Sequence, residues 1–263
     1  MRVKEIMDEK HPYVYEDDLA TRARALIRDR SLRILPVLDK NKKLLGVVTR
    51  RNMLAISSSV SALRAKGLMT QPKRIATTEE DAYTVIKDLL KVNKWYAPIV
   101  DTEQAKTYKG VLGLGHFIEA IIKTSPEKLA PPVSEIMSKK VVICSPDDGV
   151  DAIWHLMQDK TLAGLPVVKN GKLVGIVTQK DLLEGGVALP TFEAKRGRHR
   201  SSPKVSAIMK TGVVAVKPDT KAIRVAKVMT SRDIGRVPVT DEDGRLIGMV
   251  DRRDVAKLLV KQG

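Results

Sequence analysis

Residues 133–181 hold three fixed points: Val133-Ser-Glu-Ile-Met137, then Leu165-Pro166-Val167, then Gly175-Ile-Val-Thr178-Gln-Lys-Asp181. Working outward, the same order recurs along the chain. Three further openings read Val3-Lys-Glu-Ile-Met7, Lys66-Gly-Leu-Met69 and Val205-Ser-Ala-Ile-Met209. Each is followed by an apolar-Pro-apolar triplet, Leu35-Pro36-Val37, Ala97-Pro98-Ile99 and Val237-Pro238-Val239. The Met-to-Pro distance is 29 residues in all four copies, a spacing that chance does not produce. A Gly-led apolar run closes each pattern: Gly46-Val-Val, Gly110-Val-Leu, Gly175-Ile-Val and Gly248-Met-Val.

Between opening and proline the spacing predicts a helix. In the third copy Ser145-Pro146-Asp147-Asp148 offers an N-cap, a proline for the first helical position and acids for the first turn. Val150, Ile153, Trp154 and Met157 then share one face. In the second copy Thr78-Glu-Glu-Asp81 caps a helix burying Val85, Ile86 and Leu89. Between proline and glycine, Asn170-Gly171 and Asp243-Gly244 mark hairpin turns, because both residue types tolerate positive φ. A second helix follows each Gly-led strand, so each unit reads β-α-β-β-α. One such unit is too small to cover both faces of its sheet, and pairing of units is expected. The copies are placed at 1–57, 65–124, 131–187 and 203–263, with linkers around Ser57-Ser-Ser59 and Ser125-Pro126 and a basic linker at 188–202.

Composition narrows the function classes. With 47 Lys and Arg against 31 Asp and Glu, the chain carries a net charge of +16. Residues 1–130 hold 24 basic and 16 acidic residues and 131–263 hold 23 and 15, so the excess belongs to both halves. A thermophile-like charged surface explains many charges of both signs, but not their imbalance; polyanions are the implied partners. Aromatic residues make up only 3%, which leaves few rings for bases and favours recognition of backbone and shape. The single cysteine, Cys144, sits in Val141-Val-Ile-Cys144 and reads as a buried strand thiol, excluding a disulfide framework. No apolar run approaches a membrane span and the N-terminus lacks a secretory h-region, so a cytoplasmic protein is expected.

The Ile-Met opening, the apolar-Pro-Val strand and the Gly-apolar-apolar-Thr-x-x-Asp ending together resemble the CBS domain, over nearly the whole chain. The implied fold is α/β: four β-α-β-β-α CBS repeats paired into two Bateman modules. The resemblance implies adenosine ligands, AMP, ADP or ATP, with S-adenosylmethionine less favoured, bound in clefts between paired repeats without chemistry.

At the strand-to-helix junction Thr178-Gln-Lys-Asp181, a hydroxyl, a carboxylate and helix N-terminal amides converge. Amides and hydroxyl suit a phosphate, and the carboxylate can accept from ribose hydroxyls. The same four residues are also a capping box, which starts a helix with no ligand present. The other endings depart from the pattern. Copy one has Thr49-Arg-Arg-Asn52, whose amide can meet a ribose without charge. Copy four has Asp251-Arg-Arg-Asp254, which keeps Asp254 for a ribose but sets a carboxylate against a phosphate unless Arg252, Arg253 or Arg236 compensates. Copy two has Gly113-Leu-Gly-His116, lacks both polar groups and is expected to be degenerate. One or two occupied sites, mostly in the second module, are therefore expected.

The chain contains no Gly-x-x-x-x-Gly-Lys-Ser/Thr loop, His-Glu-x-x-His or Gly-x-Ser-x-Gly motif. His11, His116, His155 and His199 lack metal-ligand spacing. Asp17-Asp18 and Asp147-Asp148 read as first-turn helix acids rather than a catalytic pair. A non-enzyme with no required cofactor is expected. Lys195, Arg196, Arg198 and Arg200 form a basic run between copies three and four, and Arg50, Arg51, Arg252 and Arg253 join them as candidate nucleic-acid contacts. Some archaeal CBS proteins look like ribosome-associated or hibernation factors, and the chain is similar to them in being stand-alone, basic and four-fold repeated, which points to structured RNA, the ribosome above all. A competing expectation is an AMP- or ATP-sensing subunit similar to a kinase γ subunit, acting on a protein partner. A DNA-binding regulator is disfavoured, since no separate helix-turn-helix or zinc region is left over. Homodimerisation is left open.

Overall fold

The computed structural model describes residues 1–54, 56, 61–185 and 202–262. The Ser57-Ser-Ser59 linker and the basic run Lys195–Arg200 lie outside the described residues. Copy one contains β1 (Val14–Tyr15), α1 (Ala20–Asp29), β2 (Ile34–Leu38), β3 (Leu44–Thr49) and α2 (Arg50–Leu54). Copy two repeats the order with β4 (Ala76–Thr77), α3 (Ala82–Lys91), β5 (Tyr96–Val100), β6 (Tyr108–Gly113) and α4 (Leu114–Thr124). Copy three has α5 (Val150–Asp159), β7 (Gly164–Lys169), β8 (Lys172–Thr178) and α6 (Gln179–Glu184), and copy four α7 (Ala222–Ser231), β9 (Arg236–Thr240), β10 (Leu246–Asp251) and α8 (Arg252–Lys261). The first strand of the unit shrinks in the last two copies to single parallel bridges, Cys144 to Val167 and Val216 to Val239. The proline triplets form the central strands, and the turn at Asn170-Gly171 has positive φ at both residues (52° and 76°), as a two-residue hairpin requires.

The Ile-Met openings do not belong spatially to their own copies. Each crosses to the neighbouring copy and pairs with its Gly-led strand through a reciprocal pair of backbone hydrogen bonds: Asp8 with Val111, Thr70 with Val47, Ser138 with Met249 and Lys210 with Ile176, all 2.9–3.1 Å. The methionines of three openings fill the space that a side chain on the facing glycine would take. A Cβ on Gly46 would stand 3.0 Å from the Met69 sulfur, one on Gly175 3.0 Å from that of Met209, and one on Gly248 2.4 Å from that of Met137. The glycine and the methionine of the repeat are thus two halves of one contact between copies.

The crossing also sets where the first helices begin. Backbone amides of Ala20, Ala82, Val150 and Ala222 donate to Leu63, Met1, Pro203 and Pro131 of the neighbour's opening, at 2.8–2.9 Å. The preceding residues stay extended to make these bonds. The expected cap at Ser145 is displaced accordingly: α5 starts behind Gly149, and Ser145–Asp148 form a separate turn in which Asp148 accepts from the Ser145 amide at 2.8 Å. Asp81, by contrast, does cap α3, accepting from the Thr84 amide at 3.0 Å. The acid pairs are turn residues rather than first-turn helix acids. Asp17 and Asp147 reach Lys66 and Lys204 of the facing openings at 2.8 and 2.9 Å.

Copies one and two therefore pair, and three and four pair, through these crossed openings. The two modules join through helices. One core gathers Ile27, Met53 and Leu35 of copy one with Ile153, Trp154 and Leu182 of copy three. The other gathers Leu89, Phe117 and Ile118 of copy two with Val225, Met229 and Leu259 of copy four. The four copies close into a ring, each touching one neighbour by openings and another by helices. Cys144 is buried at 4% exposure, and burial pushes its thiol up to about 12. No helix among the described residues is long and apolar enough to cross a membrane.

Candidate functional site

Each first helix ends on a residue with positive φ five positions before its proline: Ser31 (53°), Asn93 (54°), Thr161 (54°) and Asp233 (47°). The repeat thereby aims four helix C-terminal turns at the middle of the ring. There they border a cavity of about 740 Å³ lined by all four copies. Nine lysines and arginines line it against three acids, Asp181, Glu184 and Asp233.

The junction at Thr178 opens into this cavity. Thr178 caps α6, and both its amide (2.8 Å) and its hydroxyl (2.6 Å) donate to Asp181 Oδ2. The capping box is thus formed, yet it uses one carboxylate oxygen only; Oδ1 has no hydrogen-bond partner among the described residues. Burial raises the Asp181 carboxyl above its ordinary value, against the lowering effect of the Thr178 hydrogen bonds. Ile176, Leu162, Val213 and Val214 add apolar wall nearby.

Arg236 pairs across the hairpin with Asp251 of its own copy's ending, as expected, and its guanidinium also reaches the copy-three junction. Its Nη1 lies 2.7 Å from where a Cβ on Gly164 would be, beside the Thr178 methyl at 2.8 Å from the same point, so only glycine at 164 leaves it room. Its guanidinium stands 5.9 Å from the centre of the Trp95 ring and makes no hydrogen bond among the described residues. Burial lowers it to about 10, partly opposed by Asp251. A partly buried cation that donates to nothing among the described residues, lining the same cavity as Thr178 and Asp181, is an arrangement lacking an anion.

The other endings differ. In copy one, Asn52 Oδ1 takes the Thr49 amide at 2.8 Å and hydroxyl at 2.7 Å, so an amide caps as well as an acid. In copy four, Asp251 is consumed internally: Oδ1 accepts from the Arg253 amide (2.7 Å), and Oδ2 from Arg253 Nε (2.9 Å) and Nη2 (2.5 Å). Asp254 Oδ2 accepts from the Asp251 amide, and burial with the nearby Asp251 charge raises its carboxyl to about 6. In copy two the ring of Tyr96 occupies the space over Gly113, within 2.4 Å of an added Cβ, and Arg252 crowds Gly115. His116 takes the cap's place, accepting from the Gly113 amide at 3.2 Å, and burial lowers its pKa.

The candidate nucleic-acid arginines separate on structure. Arg252 is 4% exposed, and its Nη2 donates to the Met229 carbonyl and to Asp233; it is a packing residue, which corrects its assignment as a nucleic-acid contact. Arg50 is tied to the Ser31 and Leu32 carbonyls, and Arg253 to Asp251 and Asn93, so both face the central cavity as well. The reason is common: the residues after each Gly-led strand start helices that point inward. Arg51 stays exposed, with Gln158 3.5 Å away. The helix-end residues Ser31, Asn93, Thr161 and Asp233 were missed from sequence, although their constant distance from the proline was visible.

These features are those of a CBS domain protein, and the chain belongs to that family: the family profile matches residues 3–59, 133–187 and 205–261. The second copy, with its Gly113-Leu-Gly-His116 ending, lies outside these matches. An uncharacterized Methanocaldococcus jannaschii protein, MJ1225, is 26% identical over 93% of both chains. Its crystal structure superimposes with a TM-score of 0.86 at 22% identity, covering 98% of this chain and all of that one. A conserved protein from Pyrococcus horikoshii follows at 0.68 and 23% identity, with the same coverage. A CBS domain-containing protein of Dictyostelium discoideum is 36% identical over 49% of this chain and 91% of its own length.

Proposed function

We propose that the chain is a non-enzymatic regulatory protein that binds an adenine nucleotide at the copy-three junction and docks on a polyanionic partner, structured RNA such as the ribosome. The observation that carries the nucleotide reading is the convergence of Asp181, Thr178 and the unpartnered Arg236 on one basic cavity. Asp181, held by Thr178, accepts from ribose hydroxyls through its free Oδ1, Arg236 holds phosphate, and the base lies on Ile176, Leu162 and Val213. The closed copy-two ending and the self-satisfied Asp251 limit the number of sites to one or two. Titration calorimetry with AMP, ADP and ATP tests this. A stoichiometry of one or two, reduced by one in Arg236→Ala, is expected; four equal sites, or binding untouched by that change, overturns it.

The polyanion reading rests on the +16 charge, spread over both halves. It predicts co-sedimentation with ribosomal particles that is lost in high salt, since each phosphate contact given up lets counterions return. A sensor acting on a protein is the second reading, favoured by the likeness of the whole ring to MJ1225, whose description compares it with g-AMPK. Migration as a nucleotide-loaded species free of RNA would decide for that sensor.

A further inference from the structure

Outside the ring's centre, a second cavity of about 470 Å³ lies between copies one and two and shares no lining residue with the central one. It is walled by the crossed segment Glu9–Tyr13, by α1, by Lys42 of the β2–β3 turn and by Tyr108 and Lys109 at the start of β6. Two features distinguish it. Five cations, Lys10, Arg22, Arg30, Lys42 and Lys109, face one acid, Glu9, and all five are exposed. Only Arg22 has an acidic partner within ion-pair distance among the described residues, Asp18 at 3.3 Å. The second feature is aromatic. The chain has five tyrosines, and two of them line the cleft: Tyr13 packs edge-on against Tyr108 at 5.8 Å, and against Tyr15, outside the lining, at 5.7 Å.

We infer that this outer cleft binds a single-stranded segment of RNA, one base against the tyrosines and the flanking phosphates on the exposed cations. Interleaved rings and unpaired cations are what a polynucleotide strand needs when its sequence is not read. The polar groups at the cleft floor are already satisfied, which removes the means of selecting one small ligand. His11, 8% exposed, bonds Asp8 at 3.1 Å and the Ile34 carbonyl at 3.0 Å, and the Tyr108 hydroxyl donates to the His11 carbonyl at 3.2 Å. The scarcity of aromatics along the sequence hides their concentration at one place. This inference rests on the RNA reading above and names its surface.

The test is fluorescence anisotropy with a labelled twelve-residue oligouridylate across a salt series, using the full chain. Replacing Lys10, Arg30 and Lys109 together by Gln should weaken binding at least tenfold and flatten the slope of log affinity against log salt by about 2, at about 0.7 per contact. Replacing Lys87, Lys227 and Lys257, equally exposed and equal in charge but remote, should change affinity less than twofold. Tyr13→Leu should also lose about tenfold while Tyr13→Phe keeps full affinity, which separates ring stacking from a folding defect. Equal losses in the two lysine and arginine triples would overturn the cleft assignment while leaving RNA docking intact. Absence of oligouridylate binding at low salt, with ribosome co-sedimentation retained, overturns the cleft alone; absence of both overturns the RNA reading as well. Tighter binding of a duplex than of the single strand would likewise reject the stacking site.

Discussion

Arg33 of copy one clasps Asp233 of copy four across the central cavity, Nη1 to Oδ1 at 2.6 Å and Nη2 to the backbone carbonyl at 2.7 Å. The same Asp233 oxygen also receives Arg252 at 2.9 Å, so one carboxylate ties copy one to the buried arginine of α8. Burial opposes ionisation of Asp233, but Arg33 and Arg252 outweigh it and hold the carboxyl below its ordinary 3.8. A depressed folded value means stabilisation that is fully present above pH 4 and is lost as pH falls through the folded value. Asp233→Asn keeps a residue type that tolerates φ of 47° and removes only the charge. With the carboxylate half exposed, a cost of about 1 kcal/mol is expected, a drop of about 2–4 °C in Tm at pH 7. Thermal melts at pH 7 and pH 3 should show the gap closing in acid; a gap that persists there removes the charge argument.

Copy one already shows how to separate ligand binding from capping at Asp181. Asn52 accepts both the amide and the hydroxyl of Thr49, as Asp181 does from Thr178. Asp181→Asn should therefore keep α6 capped and hold Tm within about 2 °C, cap substitutions among good capping residues being nearly neutral. It should still lose nucleotide affinity at least tenfold, because the carboxylate proposed to accept from the ribose is gone. Calorimetry beside a melting curve reads both, and unchanged affinity would leave Asp181 as a cap and nothing more.

Much of this was legible because a repeat states its own rules four times. The 29-residue spacing, the proline strands and the Asn170-Gly171 turn gave the unit, its hairpins and the Thr178–Asp181 junction without coordinates. What the sequence concealed lies between copies. Nothing in Met137 or Gly248 says that they touch, since they are far apart in the chain and meet by crossing within the module. Sequence proximity correctly sets Arg236 opposite Asp251, but it does not show that the absent side chain at Gly164 also admits Arg236 to copy three. Ser145 misled for the same reason: the bond from the Val150 amide to Pro203 fixes the helix start from outside. Arg252 was misplaced because a charged residue in a polar-looking run gives no sign that its helix faces inward.

Asp254 makes a pH prediction of opposite sign to that of Asp233. Its carboxyl rises to about 6 in the folded chain, from burial first and the Asp251 charge second. Between 3.8 and about 6 the folded state holds a proton that the unfolded state has released, so stability falls as pH rises through that window. Asp254→Asn removes the charge and keeps an acceptor for the Asp251 amide, which the acid bonds at 2.8 Å. The variant should match the parent near pH 4 and exceed it by about 1 kcal/mol, or about 2–4 °C in Tm, at pH 7.5. Melting curves at the two pH values give the comparison, and a variant less stable at pH 7.5 would contradict it.

Gly110 tests the crossed opening itself. A Cβ there would sit 2.5 Å from the Asp8 carbonyl oxygen, and that oxygen accepts the Val111 amide at 3.1 Å while the Asp8 amide donates back to Val111 at 2.9 Å. Backbone cannot yield as the flexible end of a methionine can, so the glycine facing Asp8 should be less replaceable than Gly46, whose Cβ would meet the Met69 sulfur at 3.0 Å and backbone, the Thr70 carbonyl oxygen, only at 3.1 Å. Gly110→Ala must push the opening of copy one off β6, breaking both bonds, at a cost of about 3 kcal/mol against about 1 for Gly46→Ala. Hydrogen exchange should show the amides of Asp8 and Val111 losing protection first in Gly110→Ala, with the helix cores little changed. Equal destabilisation by the two substitutions, or undiminished protection at Asp8, would mean that the crossing does not hold the first module together.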